Sequence, residues 1–411
     1  MTELHDHRSA SRGYPPPELI ESASISAYAE SVFGHLRRAD QRRWAAAYVL
    51  GLLTTPGRKS ARRLADQLRV GATAAQSLHQ FANASPWDWT PARHELLRLA
   101  EQRTHVRAWT VGVALLPKRG NHSCGVHQHF VRSTGRTVNC QVGIGLFLSS
   151  DTAHIPVDWR LRLPGKWLDD DELRVRTRIP DDVLHRTPAE HVLHLVDSLA
   201  LVSGRARVPV VADTSHHPTS GARLATELTA RGWDSVIAVP HGLRVVPEGQ
   251  RLVARNAPDG VLTAGRLLEL LSPKGGTATA PWLGSTPTPR ADRLVSALVR
   301  LPGRRGLSPG VYRVFARRPA GAPGVGRVWL TSLVRPPLPE LLPLVRAQSG
   351  TTAALADLTE NYGPRDFEGR SYPGWHHHMT LASAAYAYRP LMGGAAAAEA
   401  ADGAGARRYA G

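Results

Sequence analysis

The chain has 411 residues, with 51 lysines and arginines against 34 acids and a formal charge of +17, so it is long enough for two or three domains and a sizeable core. A charge of that size and sign marks a protein that meets a polyanion, with double-stranded DNA as the first expectation, and it is carried by arginine, since lysine stands only at Lys59, Lys118, Lys166 and Lys274. Two cysteines, Cys124 and Cys140, exclude a disulfide framework and a zinc site; no apolar run reaches the roughly 18 residues of a bilayer span, and the start is polar, so a cytoplasmic, nucleoid-associated protein with no membrane partner is expected.

Residues 1–22 are rich in charge, Ser and Pro, lack periodicity and are expected to be disordered. From 23 to 104 the pattern is helical. Ala27, Val32, Phe33 and Leu36 form one apolar face, and Trp44, Tyr48, Val49, Leu52 and Leu53 a second. Ser60 is placed to cap a third helix carrying Leu64 and Leu68; 73–84 reads as a fourth, and Pro91 opens a fifth. Arg37, Arg38, Arg42, Arg43, Arg58, Lys59, Arg62 and Arg63 crowd this region, which suits a helical DNA-binding domain, although charge runs are often no more than a solvated face.

Strand patterns follow at 106–116, 139–148 and 155–163 and predict an antiparallel meander. A helical stretch from 180 carries His191, Leu195, Val196 and Leu199. A strand at 208–213, a helix at 221–231 and a strand at 235–239 complete a mixed α/β order across 105–240, the order of the ribonuclease-H-like architecture. The Pro-, Gly- and Arg-rich segment 241–335 reads as an inserted β-rich subdomain, with strand-like pieces at 251–255, 311–316 and 328–334 and loops at 272–289 and 302–309. Closing helices occupy 336–390, and the Ala/Gly stretch 391–411 is expected to be a disordered tail.

The run Val208-Pro-Val-Val-Ala-Asp213 is short, apolar and β-branched and ends on a carboxylate. Ligands and metals collect at the carboxyl ends of central strands, so Asp213 is the strongest single candidate for metal binding or acid-base work; a turn or helix-cap role stands beside it.

Four stretches together resemble bacterial insertion-sequence transposases of the DDE superfamily, the insertion-sequence-701 group. They are Gln76 through Trp89; Pro117-Lys118-Arg119-Gly120 with His122-Ser-Cys-Gly-Val126; Asn139-Cys-Gln-Val142 with Pro156-Val-Asp-Trp-Arg-Leu-Arg-Leu-Pro164; and Asp366-Phe-Glu-Gly-Arg370 with Gly374-Trp-His-His-His378 and Thr380-Leu381. The resemblance spans about 31 to 388 and implies a ribonuclease-H-like core, in which three carboxylates hold two divalent ions on a phosphodiester. It adds Lys118, Arg119 and Arg370 to the basic residues expected at DNA.

Of the three carboxylates only the second, Asp213, is matched. Gly112 and Val113 stand where the first belongs, and Thr352 and Ala353, within Ser349–Ala354, where the third belongs. One carboxylate cannot hold a two-ion centre, so the expectation is a catalytically degenerate, transposase-like DNA-binding protein that needs no cofactor and serves as a co-opted regulator or architectural protein, with a homodimer as one assembly it allows. The alternative is an active, Mg²⁺-dependent DDE transposase with substituted ligands drawn from Asp357, Glu360, Asp366 or Glu368. A third reading, a metal held between His216-His217 and His376-His377-His378, rests only on imidazole being a common ligand.

Overall fold

The computed structural model describes residues 17–71, 73–132, 134–217, 220–248, 260–271, 278–279, 293–303, 306–308, 310–318 and 324–406. Helices come first: α1 (Pro17–Phe33), α2 (Ala39–Thr54), α3 (Ala61–Gln67), α4 (Ala74–Asn83) and α5 (Thr90–Arg103). Their ends have local causes. The Ser60 side chain accepts the Arg63 N–H at the start of α3, and Pro91 sits in the first turn of α5, where its missing N–H costs nothing.

The sheet begins with β1 (Ala108–Pro117), β2 (His127–Val131), β3 (Arg136–Ser149) and β4 (His154–Leu161). After the short α6 (Lys166–Asp169) and α7 (Asp171–Thr177) come α8 (Pro188–Ala200), β5 (Val210–Asp213), α9 (Ser220–Ala230) and β6 (Ser235–Val239). The rest comprises β7 (Arg244–Pro247), β8 (Leu262–Thr263), α10 (Ala264–Leu271), β9 (Ala278–Thr279), β10 (Arg293–Arg300), β11 (Pro302–Gly303), β12 (Gly306–Leu307), β13 (Tyr312–Arg318), β14 (Val328–Thr331), α11 (Leu338–Asn361) and α12 (Tyr372–Ala406).

The architecture is mixed α/β around one large sheet, ordered β2-β3-β1-β5-β6-β14-β13-β10-β7-β8, with β4 also on β3 and β9 on β10. β1 and β4 run antiparallel to β3, whereas β5 and β6 run parallel to each other and to β1. The first half of α11 packs Leu338, Leu341, Leu342 and Val345 on Ala108, Val211, Val236 and Ala238 from one face. By strand alternation Ala212, Ile237 and Val239 face the other way, into a continuous core that also takes Leu195 and Val196 of α8 and Leu224 of α9 and reaches the N-terminal helices.

Several expectations need correction. α1 already starts at Pro17 and α12 runs to Ala406, so helix covers part of both terminal stretches read as disordered, Ala being the strongest helix former. Residues 180–183 are not helical: α8 starts at Pro188, where Thr187 and Glu190 form a reciprocal capping box. The 241–335 segment is not a separate subdomain, because β14 pairs with β6 and carries β13, β10, β7 and β8 into the same sheet. The segment at 251–255 lies outside the described residues, as does most of the 272–289 loop. α11 covers the sheet, while α12 runs among α1, α2, α4 and α5 and against β4, joining the helical layer to the core.

That junction is polar and fully buried. The Arg93 guanidinium donates to Asp158 Oδ1 (2.6 Å), Trp159 O (3.0 Å), Thr380 Oγ1 (2.8 Å) and both Nδ1 and the carbonyl of His376 (3.1 Å each). Arg160 adds a second bond to Asp158 at 3.0 Å. A buried charge is tolerated only with this degree of pairing.

Candidate active-site cleft and DNA-facing residues

β1 and β5 lie side by side, Trp109 opposite Val210 and Thr110 opposite Val211, so Gly112 and Asp213 reach the same end of the sheet. Ala108 and Val211 pack under α11, and the Thr110 hydroxyl meets Thr351 Oγ1 of α11 at 2.5 Å. Two residues on, alternation puts Gly112 and Asp213 on that same face. There Gly112, Asp213, Gln348 and Thr352 line one cleft of about 290 Å³, together with His129, Phe130, Arg132, His216 and His217.

Val113 lines this cleft as well. Gly112 turns toward α11, whereas Val113 is 49% exposed and also lines a smaller cavity on the α8 side with Val142 and Val192. Thr352 lines the cleft, but Ala353 borders a different cavity with His154. Around Gly112 the space is filled: a Cβ would lie 2.9 Å from the Phe147 ring and 3.3 Å from a Leu355 methyl, and Phe147 is fully buried.

Among the described residues, Asp213 has no carboxylate partner in the cleft. Its Oδ1 accepts from the Ser215 N–H (2.9 Å) and hydroxyl (2.6 Å), and its Oδ2 pairs with Arg327 Nη1 at 2.9 Å. The turn role weighed for it from sequence and the strand-end placement thus occur together. Asp357, Glu360, Asp366 and Glu368 are absent from the cleft lining. Asp366 accepts the Lys59 N–H at 2.8 Å, Glu368 pairs with Arg58 at 2.7 Å, Glu360 lies 3.8 Å from Arg365, and Asp357 accepts from Asn361 at 2.7 Å.

Imidazoles and guanidinia dominate the cleft instead. Burial lowers the His129 pKa, helped by Arg162, His127 and His217; burial with Arg162, His216 and Arg132 lowers that of His217, against an opposing pull from Asp213. Both rings are therefore weighted toward their neutral forms.

His376, His377 and His378 lie elsewhere. His376 stacks on Trp89 at 4.6 Å and His377 on Trp87 at 4.0 Å, while His378 receives the Tyr48 hydroxyl on Nδ1 (3.0 Å) and donates from Nε2 to Gly363 O (2.8 Å). They are not brought to His216 and His217, and among the described residues no three His, Cys, Asp or Glu side chains converge as a metal site. Both cysteines are buried and unpaired, and burial pushes the Cys124 thiol up to about 12.

The basic residues divide into two groups. Arg37, Arg38, Arg43, Arg62, Arg63, Arg119 and Arg370 are exposed, and Arg42 and Arg58 reach Glu30 (3.4 Å) and Glu368. Lys59 and Lys118 are corrections to the expected DNA surface. Lys59 is 5% exposed and donates to Thr55 O; Lys118 donates to Phe367 O (2.7 Å) and Arg365 O (3.3 Å), with its amine pushed down to about 8 chiefly by burial. Both ammonium groups are occupied by backbone carbonyls; that of Lys118, with the Lys59 backbone N–H on Asp366, fastens the closing segment.

Arg327, His129, Arg132, Arg162 and Gln348 escape sequence reasoning. Arg327 lies in the remote segment before β14 and has no local signal, but the alternating run His127-Gln-His-Phe-Val131 is a strand pattern that could have pointed to His129.

The family model of the DDE superfamily endonucleases matches residues 31–276, more than half of the chain, and the protein belongs to that family. The match ends before α11, the helix that carries Thr352. Among solved structures, piggyBac transposase in a synaptic complex with hairpin DNA is similar over 88% of this chain and 70% of its own, with 11% identity and a TM-score of 0.42. No curated protein matches the sequence. Among the described residues no helix is long and apolar enough to cross a membrane.

Proposed function

We propose that this member of the DDE superfamily binds DNA but has lost two-ion cleavage, its core being ribonuclease-H-like and its N-terminal helices, with Arg119 and Arg370, presenting arginines to the phosphate backbone. One observation carries the loss: Asp213, the carboxylate of the cleft, is paired with Arg327, while Phe147 and Leu355 fill the space at Gly112. Mg²⁺ dehydrates reluctantly and needs more than one carboxylate, so the cleft residues do not fit the ion pair that the family's chemistry implies. Without it, no group here activates a water or stabilises a leaving oxygen. What remains is recognition, in keeping with a regulator or architectural protein. The placement in the insertion-sequence-701 group rests on the sequence motifs.

The test pairs a cleavage assay in Mg²⁺ and Mn²⁺ with duplex binding across salt. The expected outcome is no nicking or strand transfer, affinity that falls steeply between roughly 50 and 200 mM salt, and no loss of binding in Asp213→Ala. Cleavage by the wild type that disappears in Asp213→Ala would restore the active-transposase reading.

A further inference from the structure

A second cavity, of about 400 Å³, lies on the same face of the sheet as the cleft but under β10, β13 and β14. Phe315 and Trp329 are register partners on β13 and β14, and with Leu294, Leu342 and Val345 they give it a buried apolar wall. Helix α11 faces both spaces: Leu342, Val345 and Ser349 line this cavity, whereas Gln348, Thr352 and Leu355 line the cleft, each set at helical spacing. Between the two stands the Arg327–Asp213 pair, with Arg327 lining the cavity and Asp213 the cleft. Arg317 of β13 lines the cavity too, and among the described residues no acid does. Counting Asp213 against Arg327 still leaves a cation in excess. An apolar wall beside two guanidinia complements a ligand with an apolar body and one negative charge. A backbone phosphate would leave that wall in water, so the wall favours an aromatic body.

We infer that this cavity binds a small aromatic carboxylate, its ring against Phe315 and Trp329 and its carboxylate on Arg317 and Arg327. The inference goes beyond the proposed DNA binding, since the occupant is a small molecule held away from the cleft. Arg327 reaches Asp213 through Nη1 at 2.9 Å, and its other N–H groups can serve a second carboxylate. A cation shared by two carboxylates holds each less tightly. Occupancy of the cavity therefore loosens Asp213 in the cleft, and Asp213 by the same coupling weakens the ligand. No bond is made or broken.

The experiment uses the full chain and isothermal calorimetry with three probes. They are naphthoate, naphthylmethanol, which keeps the rings and loses the charge, and acetate, which keeps the charge and loses the rings. Naphthoate should bind at one site, and each of the others at least about tenfold more weakly. Arg327→Gln should weaken naphthoate about tenfold, the worth of one charge-assisted hydrogen bond. Asp213→Asn should tighten it about twofold to fivefold, because the competing charge is gone. Ser349→Trp should fill the cavity and abolish binding; Ser349 is exposed, so this variant should keep the wild-type melting temperature.

Equal binding of naphthylmethanol, or naphthoate binding unchanged in Arg327→Gln or Ser349→Trp, would overturn the inference, as would the absence of saturable naphthoate binding by the wild type. An Asp213→Asn variant that bound naphthoate no more tightly would overturn the coupling to the cleft. Displacement of naphthoate by a long duplex would assign the cavity to nucleic acid and overturn the small-molecule occupant. Duplex binding measured without naphthoate reports on the proposed function by itself, so the two readings fail separately.

Discussion

The junction around Arg93 and the cleft around Asp213 are both polar sites built on the sheet, one inside it and one at a strand end, and they differ in burial. At the junction, Arg93, Asp158, Thr380 and His376 satisfy one another, and each is nearly or fully buried. In the cleft Asp213 pairs with half-exposed Arg327, and apolar side chains fill the space at Gly112. A buried ion network cannot lose one member without stranding another, whereas a solvent-facing acid cluster can be removed piece by piece at little cost to folding. The cost of replacing a polar residue in this chain thus depends on its burial as much as on its chemistry.

The largest effect should come from Arg93→Ala, which leaves Asp158 buried with only Arg160 and the Trp159 N–H as partners and should cost about 3–5 kcal/mol in urea unfolding. Arg93→Lys should recover little, since one ammonium cannot reach Asp158, Trp159 O, Thr380 and His376 together. If Arg93→Ala cost no more than Asp213→Ala, the contrast between the two regions would collapse.

Acid should weaken the packing of α12 on α2. Burial pushes the His378 ring down to about 4 in the folded chain, against about 6.5 when unfolded. Between those values the unfolded state holds more protons, so stability is intact above about pH 6.5 and falls toward pH 4 by at most about 1.4 kcal/mol per unit from this ring. His378→Gln should flatten that slope in pH-dependent unfolding; an unchanged slope would place the proton elsewhere.

Next in size, Gly112→Asp forces a side chain against Phe147 and Leu355 and should destabilise by about 1–3 kcal/mol. Because the acid has no room, Gly112→Asp with Thr352→Glu should still fail to bind Mn²⁺ in calorimetry. Micromolar Mn²⁺ binding would show that only the acids, and not the packing, had been lost. The smallest effect is Asp213→Ala itself, about 1 kcal/mol or less in the same unfolding experiment, since its partner Arg327 is half exposed.

Elements with a local cause were legible in the sequence. Ser60 and Pro91 marked the starts of α3 and α5, and the alternating and apolar runs located β1, β3, β4, β5 and β6. α11 was expected only within the closing helices of 336–390 and its own bounds were not legible, because Pro343 and the Ser349-Gly-Thr-Thr stretch have poor helix propensity; the helix is held by Leu341, Leu342 and Val345 against the sheet. Strands β10 and β13 were hidden or blurred by Pro- and Gly-rich neighbours and are fixed by their pairing with each other. At the cleft the sequence located Asp213 but not what holds it, since Arg327 reaches it through β14, and it counted Lys59 and Lys118 as surface charge because a residue type carries no direction.

The pairing of β6 with β14 also has a consequence in time. β6 is buried along its whole length and is flanked on one side by β5, made just before it, but its other side stays open until the chain has been synthesised through Val328–Thr331. Bringing such distant segments together is slow, and an open apolar strand is a template for joining other chains. A nascent chain that stalls before β14 should therefore aggregate, however well its helical half has folded, and the C-terminal half of the sheet protects the protein during its own manufacture.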